Sequence, residues 1–281
     1  MSRVAIVIDS ASDMPPEVAA RQGIIIVPLE VSFGDRKFRA ITELSTDEFW
    51  QRMLTPGAPL PTTAAASPGE FKAVFEAAFE QGAEAIVCID VSEELSGTVK
   101  SARIAAAMLE GREIHVIDSR TASMGFGMLA QMAAELAEQG KSAAEIAAII
   151  EARKADVDLY VALDTLEYLK RGGRISGASA AVGSMLSIKP IITVVDGVVE
   201  KADQVRTRAK ARERTLALLT ARPLERATVL HSTNADVEEF RQQFQERSGL
   251  ADSQIQVVTI GPSVGPHVGP GCVGATVLRR S

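Results

Sequence analysis

The chain has 281 residues, 46% of them hydrophobic and 23% charged, a globular composition with room for one large domain or two ordinary ones. A formal net charge of −6 gives no basic field for nucleic acid, and no run reaches the roughly 18 apolar residues of a membrane span. Two cysteines, Cys88 and Cys272, make neither a CxxC nor a disulfide framework, so a reducing cytoplasm is the expected setting. The histidines His115, His231 and His267 lie far apart without metal-ligand spacing, which predicts no metal site.

Val4–Ile8 reads as a buried parallel strand, followed by the polar turn Asp9-Ser10-Ala11-Ser12-Asp13. Its apolar part is too short for a signal peptide. Pro15-Pro16 suits the first turn of a helix that runs to about Gln22. Ile24–Val31 reads as one strand interrupted at Pro28, at an edge or a bulge. Thr46–Leu54 is an amphipathic helix and Thr55–Pro61 a Pro/Gly loop. Ser67, Pro68 and Glu70 form a capping box that opens a helix to Gln81. Ala85–Val91 and Glu113–Asp118 are strands, with a helix from about Gly97 to Leu109 between them. The alanine-rich stretches Ser123–Gln139 and Ser142–Ala155 are helices able to pack closely on a sheet.

This alternation predicts a parallel sheet with right-handed crossovers, whose ligands would sit beyond the strands' carboxyl ends. Asp158–Leu163 then opens a second half. Ser187–Val195 and Val198–Arg206 flank Asp196-Gly197, a hairpin turn pair. Ala178–Leu186, Thr207–Thr220 and Asp236–Arg247 read as helices. Arg226–His231, Gln254–Ile260 and Cys272–Leu278 read as strands, with a loop over Gly261–Gly271. The expected fold class is α/β. It comprises an N-terminal domain with a parallel sheet (1–156) and a C-terminal domain with a mixed sheet (157–281).

Five stretches carry chemistry. In Asp164–Ser176, DTLEYLKRGGRIS, Asp164 and Thr165 can cap a helix and Gly172-Gly173 can end it. Arg171 and Arg174 bracket that pair, an arrangement suited to a phosphate or carboxylate as much as to a solvated turn. Thr62-Thr63 and Ser96-Gly97-Thr98 are hydroxyl clusters that can either hold an anion or simply cap and turn the chain. Gly261–Gly271 is rich in Gly and Pro, a fixed backbone around His267. Arg206–Arg214 is a basic run, either a docking surface or a solvated helix end. Gly125–Ala130 matches GxGxxA formally, but close helix packing explains it better than a dinucleotide. Walker A, GxSxG and HExxH patterns are absent, which disfavours an autonomous ATP-using enzyme.

Taken together, VIDSASDMP, PTTAAASPGEF, ELSGTVKSA, VIDSR, DTLEYLKRGGRIS, KPII, VRTRAKA and GPHVGPG resemble, in order and spacing, the DegV family of bacterial fatty-acid-binding proteins. The resemblance runs the whole length. It implies a two-domain α/β protein with a palmitate-like long-chain fatty acid buried between the domains, and no other cofactor. It also implies that the chain is no enzyme by itself but the substrate-presenting subunit of a fatty acid kinase, handing the carboxyl group to a separate ATP-binding subunit. By position, the carboxylate ligands fall on Thr63, Ser96 and His267, with Thr62, Gly97 and Arg174 as secondary candidates. Arg171 takes the place of an arginine implicated in phosphoryl transfer, and Arg206 and Arg208 lie in the kinase-docking segment. The chain departs from the family pattern at Ala64-Ala65-Ala66, Glu93-Glu94 and Pro266. A stand-alone esterase or phosphotransferase using the same pocket, and a lipid-responsive regulator, are the alternatives.

Overall fold

The computed structural model describes residues 3–175, 188–233 and 236–280. The helix expected at Ala178–Leu186 and the Ser176 end of the central motif lie outside them. The first half builds a four-stranded sheet from β1 (Val4–Asp9), β2 (Ile24–Val27), β6 (Ala85–Asp90) and β7 (Glu113–Asp118). Its order is β2-β1-β6-β7 and every pairing is parallel. The strand β6 is buried along its whole length, as a continuous apolar run covered by helices should be. Between and after these strands run helices α1 (Pro16–Arg21), α3 (Pro68–Glu80), α4 (Thr98–Ala107), α5 (Met124–Glu138) and α6 (Ala143–Arg153). Ser67 and Glu70 close the capping box reciprocally at the start of α3.

One expectation fails at Pro28. The stretch Ile24–Val31 is two strands in two sheets. β2 joins the parallel sheet, whereas β3 (Glu30–Phe33) pairs antiparallel with β4 (Arg36–Arg39) and β5 (Thr62–Ala64). Proline has no N–H for a ladder, and the next amide, Leu29 N–H, leaves the sheet to donate to Ser10 Oγ at 2.9 Å. The small sheet packs Val31 and Phe33 on Phe49 and Trp50 of α2 (Thr46–Leu54), and it makes β5 an edge strand that carries Thr63.

The second half builds a six-stranded mixed sheet. Its strands are β8 (Val157–Ala162), β9 (Lys189–Val195), β10 (Val198–Val205), β11 (Leu224–His231), β12 (Ile255–Thr259) and β13 (Val273–Arg279), in the order β10-β9-β8-β13-β11-β12. Only β11 and β12 pair in parallel. The hairpin between β9 and β10 turns at Asp196 and Gly197, both with positive φ (50° and 85°) as a two-residue turn of this hand requires. Helices α8 (Arg208–Leu219) and α9 (Val237–Ser248) pack on this sheet. The expected loop at Gly261–Gly271 contains one helical turn, α10 (Gly265–Val268), and the central motif forms the short α7 (Glu167–Arg171).

Helix α5 joins the two halves. Every residue from Met124 to Ala134 is buried, and the helix touches β1 and β6 of the parallel sheet and β8 and β13 of the mixed one. At Gly125 a Cβ would fall 2.6 Å from the Thr121 hydroxyl, and at Gly127 2.7 Å from the Met124 sulfur, so the GxGxxA match serves close packing. Phe126, fully buried in this helix, should be costly to truncate. Phe126→Ala is expected to lower stability by about 3–5 kcal/mol, read from urea unfolding.

Candidate functional site

Strands alternate their side chains, and β8 to β11 use one face of the mixed sheet to wall a cavity. Leu159 and Val161 of β8, Ile192 and Val194 of β9, Val199 of β10 and Leu230 of β11 all line it. Tyr160, Ala162 and Ile191 belong to the other face and pack with Ala211 of α8. Opposite the apolar strand face stand Ala11, Val91, Leu95 and Ala122, which follow strands of the parallel sheet, together with Leu29, Ala64 and Ala65. The non-protein space here amounts to about 870 Å³ with its open mouth included.

Its polar groups are few: Thr63, Ser96, Ser123, Arg174, Ser263 and His267. Thr63 is carried by the edge strand β5 and His267 by α10, and Thr63 Oγ1 lies 2.9 Å from His267 Nε2. Burial, with Arg174 close by, pushes the imidazole down to about 4, so it is neutral at pH 7. Among the described residues its Nδ1 has no partner. A buried bare acceptor costs less than a buried orphan N–H, which assigns the proton to Nε2 and makes His267 the donor to Thr63. The Thr63 hydroxyl hydrogen is then available to another acceptor. The ring sits against Gly172, where a Cβ would come within 2.2 Å of Nδ1.

Arg174 closes this end. Its Nε donates to Leu95 O at 3.0 Å and its Nη1 to Gly172 O at 2.5 Å, tying the segment before Ser96 to the end of α7. Ser96 Oγ lies 2.7 Å from Thr98 Oγ1 and accepts the Thr98 N–H at 3.3 Å, at the start of α4. Gly97, the N-cap of that helix, is exposed and outside the cavity lining.

A second concavity lies outside the first. Leu60, Thr62, Tyr168, Arg171 and Pro266 line it, and it shares Thr63, Arg174 and His267 with the inner cavity. Arg171 is therefore exposed in the outer cleft, 3.4 Å from Glu167, and Thr62 is exposed beside it. The expectation that Asp164 caps α7 is wrong. Its carboxylate takes Lys189 at 3.0 Å and the fork of Arg208, with Arg208 Nε at 2.8 Å, because two cations outbid one amide. Thr165 instead accepts the Glu167 N–H at 3.1 Å. Arg206 is exposed, and Arg208 lines a separate recess with Lys189 and Arg212. Of the pattern departures, Ala64 and Ala65 form part of the inner lining, Pro266 borders the outer cleft and Glu93 pairs with Arg103 at 2.6 Å.

Beneath the cavity lies a group that spacing in the sequence did not reveal, the buried carboxylates Asp9, Asp13 and Asp90. Asp9 accepts the Ala11 and Val91 N–H groups at 2.7 and 2.8 Å, holding the turns that follow β1 and β6. Burial raises it to about 7. Burial and the neighbouring Asp9 push Asp90 well up, and its Oδ1 has no partner among the described residues. Ser123 and Ser263 escaped notice for a similar reason, since their partners come from distant parts of the chain. Their only local signal was a place next to a helix or in a Gly/Pro loop.

A family profile described as "Uncharacterised protein, DegV family" matches residues 3–280. A DegV domain-containing protein of Streptomyces coelicolor is 37% identical, with all of both chains covered. A DegV family protein from Thermus thermophilus, described for its fatty acid binding, is 36% identical and superposes with a TM-score of 0.91, over 99% of this chain and 100% of that one. DegV of Bacillus subtilis, described as a fatty acid binding protein, is 31% identical, with a TM-score of 0.87 and full coverage of both chains. By profile, sequence and fold, this chain belongs to the DegV family.

Proposed function

We propose that this chain binds a long-chain, palmitate-like fatty acid between its two halves, 1–156 and 157–281, and presents the carboxyl group to a separate kinase subunit in the cytoplasm. The observation that carries the reading is the cavity itself, apolar along the strand face and polar where Thr63, Ser96, Arg174 and His267 gather. Binding of fatty acids by solved relatives supports it. Each buried methylene contributes about 0.8 kcal/mol, so on the order of ten methylenes outweigh the cost of ordering the chain.

At the polar end the hydroxyls of Thr63 and Ser96 hold the carboxylate, with His267 orienting Thr63. Neutral donors leave a carboxylate oxygen nucleophilic, where a lysine clamped on it would stabilise the ground state. Arg174 supplies positive charge beside the site while its Nε and Nη1 serve the backbone. Because Thr63 and His267 also border the outer cleft, a phosphoryl donor can meet the carboxylate from outside while the acyl chain stays covered. In that encounter Arg171 steadies charge on the transferring phosphoryl group, and Arg206 and Arg208 dock the kinase subunit.

Native mass spectrometry of the purified protein, with extraction and identification of the lipid, is expected to find one fatty acid. Thr63→Ala with Ser96→Ala should weaken its binding by roughly 100-fold, the loss of two hydrogen bonds to a charged group. Retention of the lipid at full affinity by that double variant would overturn the assignment of the polar end. Arg171→Ala should bind lipid normally yet lose acyl-phosphate formation with a kinase subunit and ATP. Turnover by the lone chain would overturn the presenting role.

A further inference from the structure

We propose that Asp13 is a proton-sensitive clasp joining the His267 loop to the Ser123 wall of the cavity, shut when its carboxyl carries a proton and biased toward opening when it does not. The proposal rests on the fatty-acid reading of the cavity only for its consequence, not for the clasp itself. Asp13 follows β1 and is 7% exposed. Its Oδ1 accepts the Gly261 N–H at 2.8 Å, and its Oδ2 accepts the Ser123 hydroxyl at 2.5 Å. Gly261 starts the segment that ends in His267, and its carbonyl receives the Gly265 N–H at 2.8 Å, so α10 hangs from it. Two more buried bonds from the first half hold this segment, Trp50 Nε1 to Ile260 O and Ser10 Oγ with Ser263 Oγ, both 2.8 Å. Ser123 lines the cavity with φ 55° and ψ −149°, a backbone state that a side chain adopts only when its surroundings force it.

The charges around Asp13 set the direction. Among the described residues no lysine or arginine pairs with it. Asp9 at the end of β1 faces it with like charge, with Asp90 of β6 beyond, and Cys272 before β13 offers a thiol that burial pushes up to about 12. Burial, opposed by the Ser123 and Gly261 hydrogen bonds and reinforced by Asp9, raises Asp13 from 3.8 to about 7. Lifting the loop would return water to the carboxylate and its affinity for a proton toward the ordinary value. The closed form therefore keeps a proton that the open form releases, and rising pH between those two values favours opening. His267, at about 4, has already lost its proton near neutrality and adds no slope there. Asp9 titrates in the same range, but both of its acceptor bonds serve its own half, not the loop.

Asp13→Asn mimics the protonated state, with one oxygen for Gly261 and an amide N–H for Ser123. Hydrogen exchange of residues 261–268, corrected for intrinsic rates, tests the clasp without any lipid. In the wild type, exchange should rise on the order of tenfold between about pH 6 and about pH 8, and in Asp13→Asn it should stay flat. Trp50→Phe, which removes an uncharged tie together with part of a buried ring, should exchange faster at every pH with the wild-type slope. Ser123→Ala removes a donor to the carboxylate and should move the transition to higher pH, which keeps the test alive if Asp13→Asn does not fold. An unchanged slope in Asp13→Asn, or an unmoved transition in Ser123→Ala, overturns the clasp. Transfer of palmitate from preloaded protein to phosphatidylcholine vesicles should follow the same pattern. If exchange behaves as expected but palmitate never loads, the clasp stands and the fatty-acid reading falls.

Discussion

A helix buried on every side from Met124 to Ala134 has to be covered on every side, and α5 imposes that constraint on this fold. One sheet cannot satisfy it. The parallel sheet takes one flank and the mixed sheet takes another, while the space at Gly125 and Gly127 is filled by the side chains of Thr121 and Met124. One continuous core then runs from Ile6 and Ile89 through Phe126 to Leu159 and Leu230. The cavity lies beside this seam. Its walls come from both sheets because the helix that forces the sheets together leaves the carboxyl ends of β1, β6 and β7 facing the strand face of the second half.

Charge is placed sparingly around that cavity. The side chains at its polar end are hydroxyls, a neutral imidazole and one arginine whose donors are partly spent on the backbone. Negative charge sits behind the wall, in carboxylates that burial drives toward their protonated forms. An anionic head group placed here would therefore meet donors in front and partly protonated acids behind. Exposed ion pairs, as at Arg103 with Glu93 and Arg247 with Glu213, are screened by water and set little of the architecture.

Much of the fold was legible in the sequence because its cues are local. The Asp196-Gly197 hairpin, the Ser67–Glu70 capping box and the apolar run of β6 each announce themselves within a few residues. The small sheet did not, since β5 has three residues and β4 is mostly charged, too little pattern to show a period. Asp164 misled for a related reason. Beside a helix it reads as a cap, but its partners are Lys189 and Arg208, 25 and 44 positions away. The hydroxyl clusters and the Gly/Pro loop draw attention to Thr63, Ser96 and His267, resemblance to a family makes them one ligand set, and the fold brings all three to one cavity. Asp13 stands in the polar turn of VIDSASDMP, but nothing local shows its role, because its hydrogen-bond donors come from 110 and 248 residues along the chain.

The paired glycines after α7 look like a single device for ending a helix, but they answer to separate demands. Gly173 has φ 70° and is there for its backbone. Gly172 has φ −73°, which any residue can adopt, and is there for the side chain it lacks, because the His267 ring occupies that space. An asparagine could inherit the first role but nothing larger than hydrogen can inherit the second while the imidazole stays. The freedom to vary at position 172 is thus fixed by a residue 95 places away, and the two belong to one steric unit although no hydrogen bond joins them.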